Sequence, residues 1–288
     1  MTSPQPLTAR VLERGTSRLV AYDFGAHLAS WEVDGRPVVR LAEQAVLDGS
    51  RAIRGGIPLC FPWFADGPRG TQSPSHGVVR TTTWRPAPPT GTEIWAWELT
   101  SDDVAGAPGH EHLDGPFALR YAVSLADTAH APRLQVELVV SNPGDTPVRM
   151  EAALHTYLAV ADLTRTSITG LDGAAYLDKL DGVRRRQDGP VHLAGAIDNV
   201  YDSSGSPCVS VDDGERVLDV HAAGATQCVV WNPGPEQAAT MSDLGDAEWR
   251  RFVCVEAAAT GQHALHLPPG GSHRLGCTVT VQQDTAAP

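Results

Sequence analysis

Two arginines and a histidine stand out in Ser50–Trp84, SRAIRGGIPLCFPWFADGPRGTQSPSHGVVRTTTW. Arg54, His76 and Arg80 sit there among glycines, prolines and aromatics. Each Pro removes a backbone donor and fixes φ, so the stretch is neither a regular helix nor a long central strand. It is apolar enough (Ile57, Leu59, Phe61, Trp63, Phe64) to be packed down. A packed, irregular loop bearing arginines suits an anionic small molecule. Glycine lets the backbone come close to a ligand, and the guanidinium fork matches phosphate or carboxylate oxygens. The same residues would also serve a structural loop whose arginines cap carbonyls.

Two further stretches carry titratable groups in apolar surroundings. In Met150–Val160, MEAALHTYLAV, strand alternation puts Met150, Ala152, Leu154, Thr156 and Leu158 on one face. Glu151, Ala153, His155 and Tyr157 fall on the other, as the wall of a polar cleft would. His155 titrates near neutrality and is a natural general acid, or else a buried histidine bonded to a neighbour. In Arg251–Ala259, RFVCVEAAA, Glu256 shares a face with Phe252 and Cys254 and precedes three alanines. Poor solvation would raise its pKa and make it a better base near pH 7. The alternative is a salt-bridged glutamate at a strand end. Asp198, in AIDNVYDSS, reads as a turn former on its own. Arg184–Arg186 reads as a solvated hairpin face and His110-Glu111-His112 as an exposed loop. No third cluster of ligands accompanies that pair of histidines, so no metal site is expected. Nucleophile-elbow, P-loop and dinucleotide glycine motifs are absent.

The elements that must position these groups are strands. Arg18–Trp31 alternates around a turn at Phe24–Ala26, and Asp34-Gly35 makes the next turn. Ile94–Leu99, Leu119–Leu125, Leu134–Val140, the longer run Val148–Val160, Gln227–Trp231, Arg251–Ala259 and Leu275–Gln282 follow. Short strands bounded by Gly, Pro, Asn and Asp turns signal an all-β sandwich or barrel of antiparallel sheets. Helix is expected only at Ala42–Asp48 and as one turn at Ala247–Arg250; Pro86–Thr92 and Gly189–Gly195 read as loops. With no internal repeat or linker, one domain is expected over residues 1–288, its core from about 9 to 281 and its ends frayed.

Composition narrows the function classes. The 288 residues carry a net charge of −12, which argues against a nucleic-acid groove and makes arginines in an apolar loop more noticeable. The five cysteines are odd in number and none is in C-x-x-C spacing, so reduced thiols in a cytoplasmic protein are expected. The N-terminus lacks the apolar core of a signal peptide, and no run approaches the ~18 apolar residues of a membrane span.

Six segments, taken in order, resemble a known family: RGGIPLCFPWF (Arg54–Phe64), HGVVRTTTW (His76–Trp84), LHTYLAV (Leu154–Val160), GLDGAAYLDK (Gly170–Lys179), IDNVYDS (Ile197–Ser203) and WNPGPEQAATMSDLGDAEWRRFVCVE (Trp231–Glu256). They are similar to the D-hexose-6-phosphate mutarotases, or glucose-6-phosphate 1-epimerases, relatives of aldose 1-epimerase with a galactose mutarotase-like β-supersandwich. The resemblance implies His155 as the acid that protonates the ring oxygen and Glu256 as the base that takes the anomeric proton. It implies Asp198 on sugar hydroxyls, Arg54 and Arg80 on the 6-phosphate, and His76 lining the sugar pocket. Ser75 stands where the family usually has a substrate-contacting glutamine, and Gly234 where it usually has a tryptophan. A cytoplasmic monomer acting on a sugar phosphate without metal or other cofactor is therefore expected. An aldose 1-epimerase of neutral sugars and a non-catalytic sugar-binding module are the alternatives.

Overall fold

The computed structural model describes residues 6–126, 131–203 and 207–282. Two large sheets dominate, of twelve and nine strands, and their ladders are antiparallel. In the first, Arg36–Val39, Tyr157–Ala159, Phe252–Ala259, Gln227–Asn232, Ile197–Asp202 and Ala175–Asp178 lie side by side in that order. In the second, Ser272–Val281 takes an interior place between Val217–Ala223 and Arg133–Ser141. One face of the central Phe252–Ala259 strand packs toward that Ser272–Val281 strand, and Val253, Val255, Ala257 and Ala259 join the main core. The largest fully buried side chains include Trp31, Trp63, Trp84 and Trp97, and burial of each large apolar side chain contributes about 1.5–3 kcal/mol. The second face carries the site.

The alternation in the sequence marks most strands, including the hairpin joining Ser17–Tyr22 to His27–Val33. Four readings change. The run Val148–Val160 is three pieces, Val148–Met150, Ala152–Leu154 and Tyr157–Ala159, the first paired with Leu265–Leu267 in a small separate sheet. Ala42–Asp48 is not helical. Its backbone is spent on tertiary bonds: Ala42 N–H donates to Arg54 O (3.1 Å) and Glu43 N–H to the Glu248 carboxylate (3.1 Å). The expected loops at Pro86–Thr92 and Gly189–Gly195 each hold a short strand, Arg85–Ala87 and Val191–His192. These lie at the two ends of the nine-stranded sheet, where a proline is tolerated. The frayed start extends less far than expected, since Leu7 N–H donates to Leu47 O (2.9 Å); residues 1–5 and 284–288 lie outside the described residues.

Candidate active site

The Arg54–Phe64 loop is laced along the histidine-bearing segment. Tyr157 N–H donates to Gly56 O (2.9 Å), His155 N–H to Pro58 O (3.1 Å) and Glu151 N–H to Pro62 O (2.9 Å). On its other side the same segment pairs with Phe252–Ala259. Leu154 faces Ala257 and Tyr157 faces Cys254, so the register places His155 opposite Glu256. Thr156 O accepts from Val255 N–H (3.1 Å), which makes the His155/Glu256 pair the close, non-hydrogen-bonded kind. The rest of the floor follows from neighbouring rungs: Glu256 faces Val229, and Cys254 faces Trp231, which faces Asp198. Strand geometry therefore gathers residues 155, 198, 231 and 256 without any loop having to close over them.

All seven residues singled out from the sequence, Arg54, Ser75, His76, Arg80, His155, Asp198 and Glu256, line one cavity of about 420 Å³. His155 Nδ1 lies 3.4 Å from Glu256 Oε1. Both side chains are buried, and among the described residues neither Nδ1 nor either Glu256 oxygen has a hydrogen-bond partner. The His155 ring is wedged, stacked on Tyr157 (centroids 5.0 Å, 16°) and met edge-on by Trp231 and His76. Burial, then the charges of Arg80 and Arg54, push His155 down to about 3. Burial, then Asp198, push Glu256 well above the carboxylate range, while Lys179 and Arg80 partly offset this. The favoured resting state therefore has the proton on Glu256 and a neutral imidazole. At 3.4 Å, moving that proton to His155 is a single short hop.

Three cations surround the pair. Arg54 is fixed from two sides, Nε donating to Asp243 Oδ1 (3.2 Å) and Nη1 to the Tyr157 hydroxyl (3.3 Å). Among the described residues Arg80 has no carboxylate partner and its buried Nε has no hydrogen-bond partner; Nη2 donates to Ser75 O (2.7 Å). Lys179 Nζ lies 3.6 Å from Asp198 Oδ2 and over the Phe64 ring. Burial raises Asp198 and Lys179 opposes this. His76 Nδ1 accepts from Ala65 N–H (3.2 Å), which leaves Nε2 to carry the proton of the neutral ring; burial, then Arg80, holds it well below its usual range.

The two departures from the family pattern acquire a setting. Ser75 lines the cavity and lends its carbonyl to Arg80. Gly234 starts the helix Gly234–Ala238 with φ +65, and a Cβ there would meet Ala196 N at 2.5 Å. A tryptophan side chain has no room at that backbone position. The wall comes instead from Trp231 and from Gln237, Thr240 and Met241 in and just after the helix. Sequence reasoning passed over Asp243, Gln237 and Thr240, and the segment Trp231–Glu256 that contains them was the one signal pointing there.

A family model described as aldose 1-epimerase matches residues 10–280. A protein of Cenchrus ciliaris, provisionally named a glucose-6-phosphate 1-epimerase, is 30% identical over 279 residues, covering 92% of this chain and 82% of its own. A protein of Escherichia coli K12 with the same provisional name is 31% identical over 250 residues, covering 81% and 77%. A crystal structure of a provisionally assigned mutarotase from Salmonella typhimurium superposes with TM-score 0.81 at 26% identity, covering 96% of this chain and 94% of that one. The likeness to galactose 1-epimerase of Lactobacillus acidophilus (TM-score 0.65, 13% identity, 98% and 97% covered) concerns the fold. The chain has the galactose mutarotase-like β-sandwich, and it belongs to the aldose 1-epimerase family.

Proposed function

We propose that this enzyme interconverts the α and β anomers of an aldohexose 6-phosphate such as glucose 6-phosphate. One observation carries the reading: a buried acid–base pair and three cations, Arg54, Arg80 and Lys179, face the same cavity. The provisional names of the relatives from Cenchrus ciliaris and Escherichia coli point to the same substrate. Mutarotation takes one proton from the anomeric hydroxyl and delivers one to the ring oxygen. The C1–O5 bond then breaks, the C1 carbonyl turns, and the ring closes on its other face. Glu256 takes the first proton and His155 gives the second. Each positioned transfer contributes about 10²–10⁴-fold. From the resting pair the proton first hops across the 3.4 Å gap to His155, which readies Glu256 as base and His155 as acid. After ring opening Glu256 holds the proton of O1 and His155 is neutral. On reclosure Glu256 returns its proton to O1 while His155 recovers the proton of O5. Because the reaction is close to thermoneutral, a pair able to run in either sense suits it.

The phosphate would lie against Arg54 and Arg80. Arg80 is the more telling of the two, since its guanidinium is not claimed by any carboxylate among the described residues. A site built around an anion discriminates against the neutral sugar because its cations are then left uncompensated. Asp198, Ser75 and His76 would contact the sugar. The acid–base route requires no metal, and we read the enzyme as a cytoplasmic monomer. Four of its cysteines are buried free thiols, and no described helix is long and apolar enough to cross a membrane.

Anomer exchange by NMR, with glucose 6-phosphate and glucose at equal concentration, tests the reading. Faster exchange of the phosphosugar supports it. Equal exchange, or exchange of glucose alone, would make the chain an epimerase of neutral sugars. No exchange of either would remove the catalytic reading for these sugars.

A further inference from the structure

Tyr157 touches both Arg54 and His155 without entering the cavity they face. It is 2% exposed and is not among the residues that line that cavity. Its hydroxyl accepts from Arg54 Nη1 (3.3 Å), and its ring stacks on the His155 imidazole (centroids 5.0 Å, 16°). Phe252 lies against the same ring (5.0 Å, 38°), and Trp231 meets it edge-on (6.1 Å, 70°). Tyr157 N–H donates to Gly56 O (2.9 Å) and Tyr157 O accepts from Arg40 N–H (3.1 Å), so the backbone that carries the ring is tied as well. One rigid aromatic side chain thus spans the distance from the guanidinium to the imidazole.

Arginine needs such a brace. Its side chain has several rotatable bonds, and that of Arg54 is 27% exposed and lines the cavity. Asp243 holds Nε (3.2 Å), which leaves the far end of the guanidinium to the Tyr157 hydroxyl. A hexose 6-phosphate gripped at Arg54 has its ring oxygen located from that end. The spacing between the guanidinium and His155 then decides whether the ring oxygen meets the imidazole, and a misplacement of about 1 Å costs on the order of 10²-fold in rate. A neutral hexose has no phosphate in the clamp and is not located this way.

We propose that Tyr157 is a positioning residue that sets the spacing between the phosphate clamp and the general acid, its hydroxyl speeding turnover of the phosphosugar in particular. The inference rests on the hexose 6-phosphate reading of the same cavity, and adds that the clamp serves kcat as well as affinity. Binding energy from the remote phosphate is thereby used at the reacting centre.

The test is Tyr157→Phe, which keeps a ring on His155 and removes the oxygen that holds Arg54; circular dichroism checks its fold. Anomer exchange by NMR gives kcat and KM for glucose 6-phosphate and kcat/KM for glucose, in wild type and variant. For glucose 6-phosphate, kcat should fall about tenfold or more while KM stays within about threefold of wild type, because Asp243 and Arg80 remain. For glucose, kcat/KM should fall much less. A structural defect would slow both sugars alike, so an equal loss on the two would overturn the proposal. An unchanged kcat for glucose 6-phosphate, or a loss confined to KM, would overturn it too. In each of those cases a wild type that still favours the phosphosugar leaves the substrate reading standing. A wild type that favours glucose overturns both.

Discussion

Glu256→Gln should make the protein more stable and nearly inactive, with a stability gain that grows with pH. Glu256 is 1% exposed, and neither of its oxygens has a partner among the described residues. Its folded-state pKa is therefore raised far above its ordinary value of about 4.3. Between that value and the folded pKa, the folded state holds a proton that the unfolded state has lost. Stability then falls as pH rises, by about 1.4 kcal/mol per pH unit. Glutamine keeps the shape and cannot ionise. The variant should gain about 1.4 kcal/mol on wild type between pH 5 and 6, and about as much again from 6 to 7 if the folded pKa lies above 7. His155, with its pKa lowered to about 3, gives the opposite slope below its ordinary value, but it does so in both proteins and cancels in the difference. Urea unfolding of the two proteins at pH 5, 6 and 7 measures this directly. A stability difference that stays constant with pH would refute the claim that Glu256 is held protonated by burial, and with it the proton inventory of the proposed mechanism. Anomer exchange by the variant should fall about 10²-fold or more.

Arg54→Ala should raise KM for a hexose 6-phosphate about tenfold or more, on the order of 1.4 kcal/mol, with little effect on a neutral hexose. Steady-state kinetics with both sugars decides it, and an unchanged KM places the phosphate elsewhere. Gly77→Ala should destabilise by about 2 kcal/mol or more, because φ is +83 and the new Cβ would lie 1.9 Å from Phe61 O, a backbone atom. Calorimetry showing a wild-type Tm would mean that the 61–77 contact is not fixed. A thiol reagent should modify one cysteine of the native protein, Cys208, and all five after unfolding, since the other four are buried. Rapid reaction of more than one would show that the sheets open readily.

Period-two alternation made the sheets legible because one face of most strands meets the core. The same rule placed His155 on the cleft side even though the run containing it is broken, whereas Glu151, put on the same face, lines a different cavity. The break itself was hidden, because it depends on which neighbours the two halves find: Ala152–Leu154 pairs with Leu59–Cys60, and Leu158 with Val39. The helix Gly234–Ala238 was hidden for a related reason, since Asn-Pro-Gly-Pro reads as a turn, yet Asn232 ends a strand and Gly234 and Pro235 are the first two residues of the helix. Among site residues, those in dense apolar or glycine-rich settings announced themselves. Asp243 did not, as an aspartate in an ordinary loop becomes distinctive only through its contact with Arg54. Lys179 and Asp198 likewise acquire meaning only as a pair brought together by adjacent strands.

The interior position of Ser272–Val281 has a consequence for the chain during synthesis. Arg133–Ser141 pairs with Ala118–Ala126 on one side and with Ser272–Val281 on the other. Until the second partner emerges, the hydrogen-bonding edge of Arg133–Ser141 stays open, backed by Leu134, Val136, Leu138 and Val140. About 140 residues separate the two strands, so at about 5–20 residues per second the nascent chain carries that edge for roughly 7–28 s. An open, apolar-backed edge is the kind that recruits other strands. This fold therefore makes the growing polypeptide a client for chaperones near the ribosome, and its yield should respond to translation speed more than its final stability would suggest.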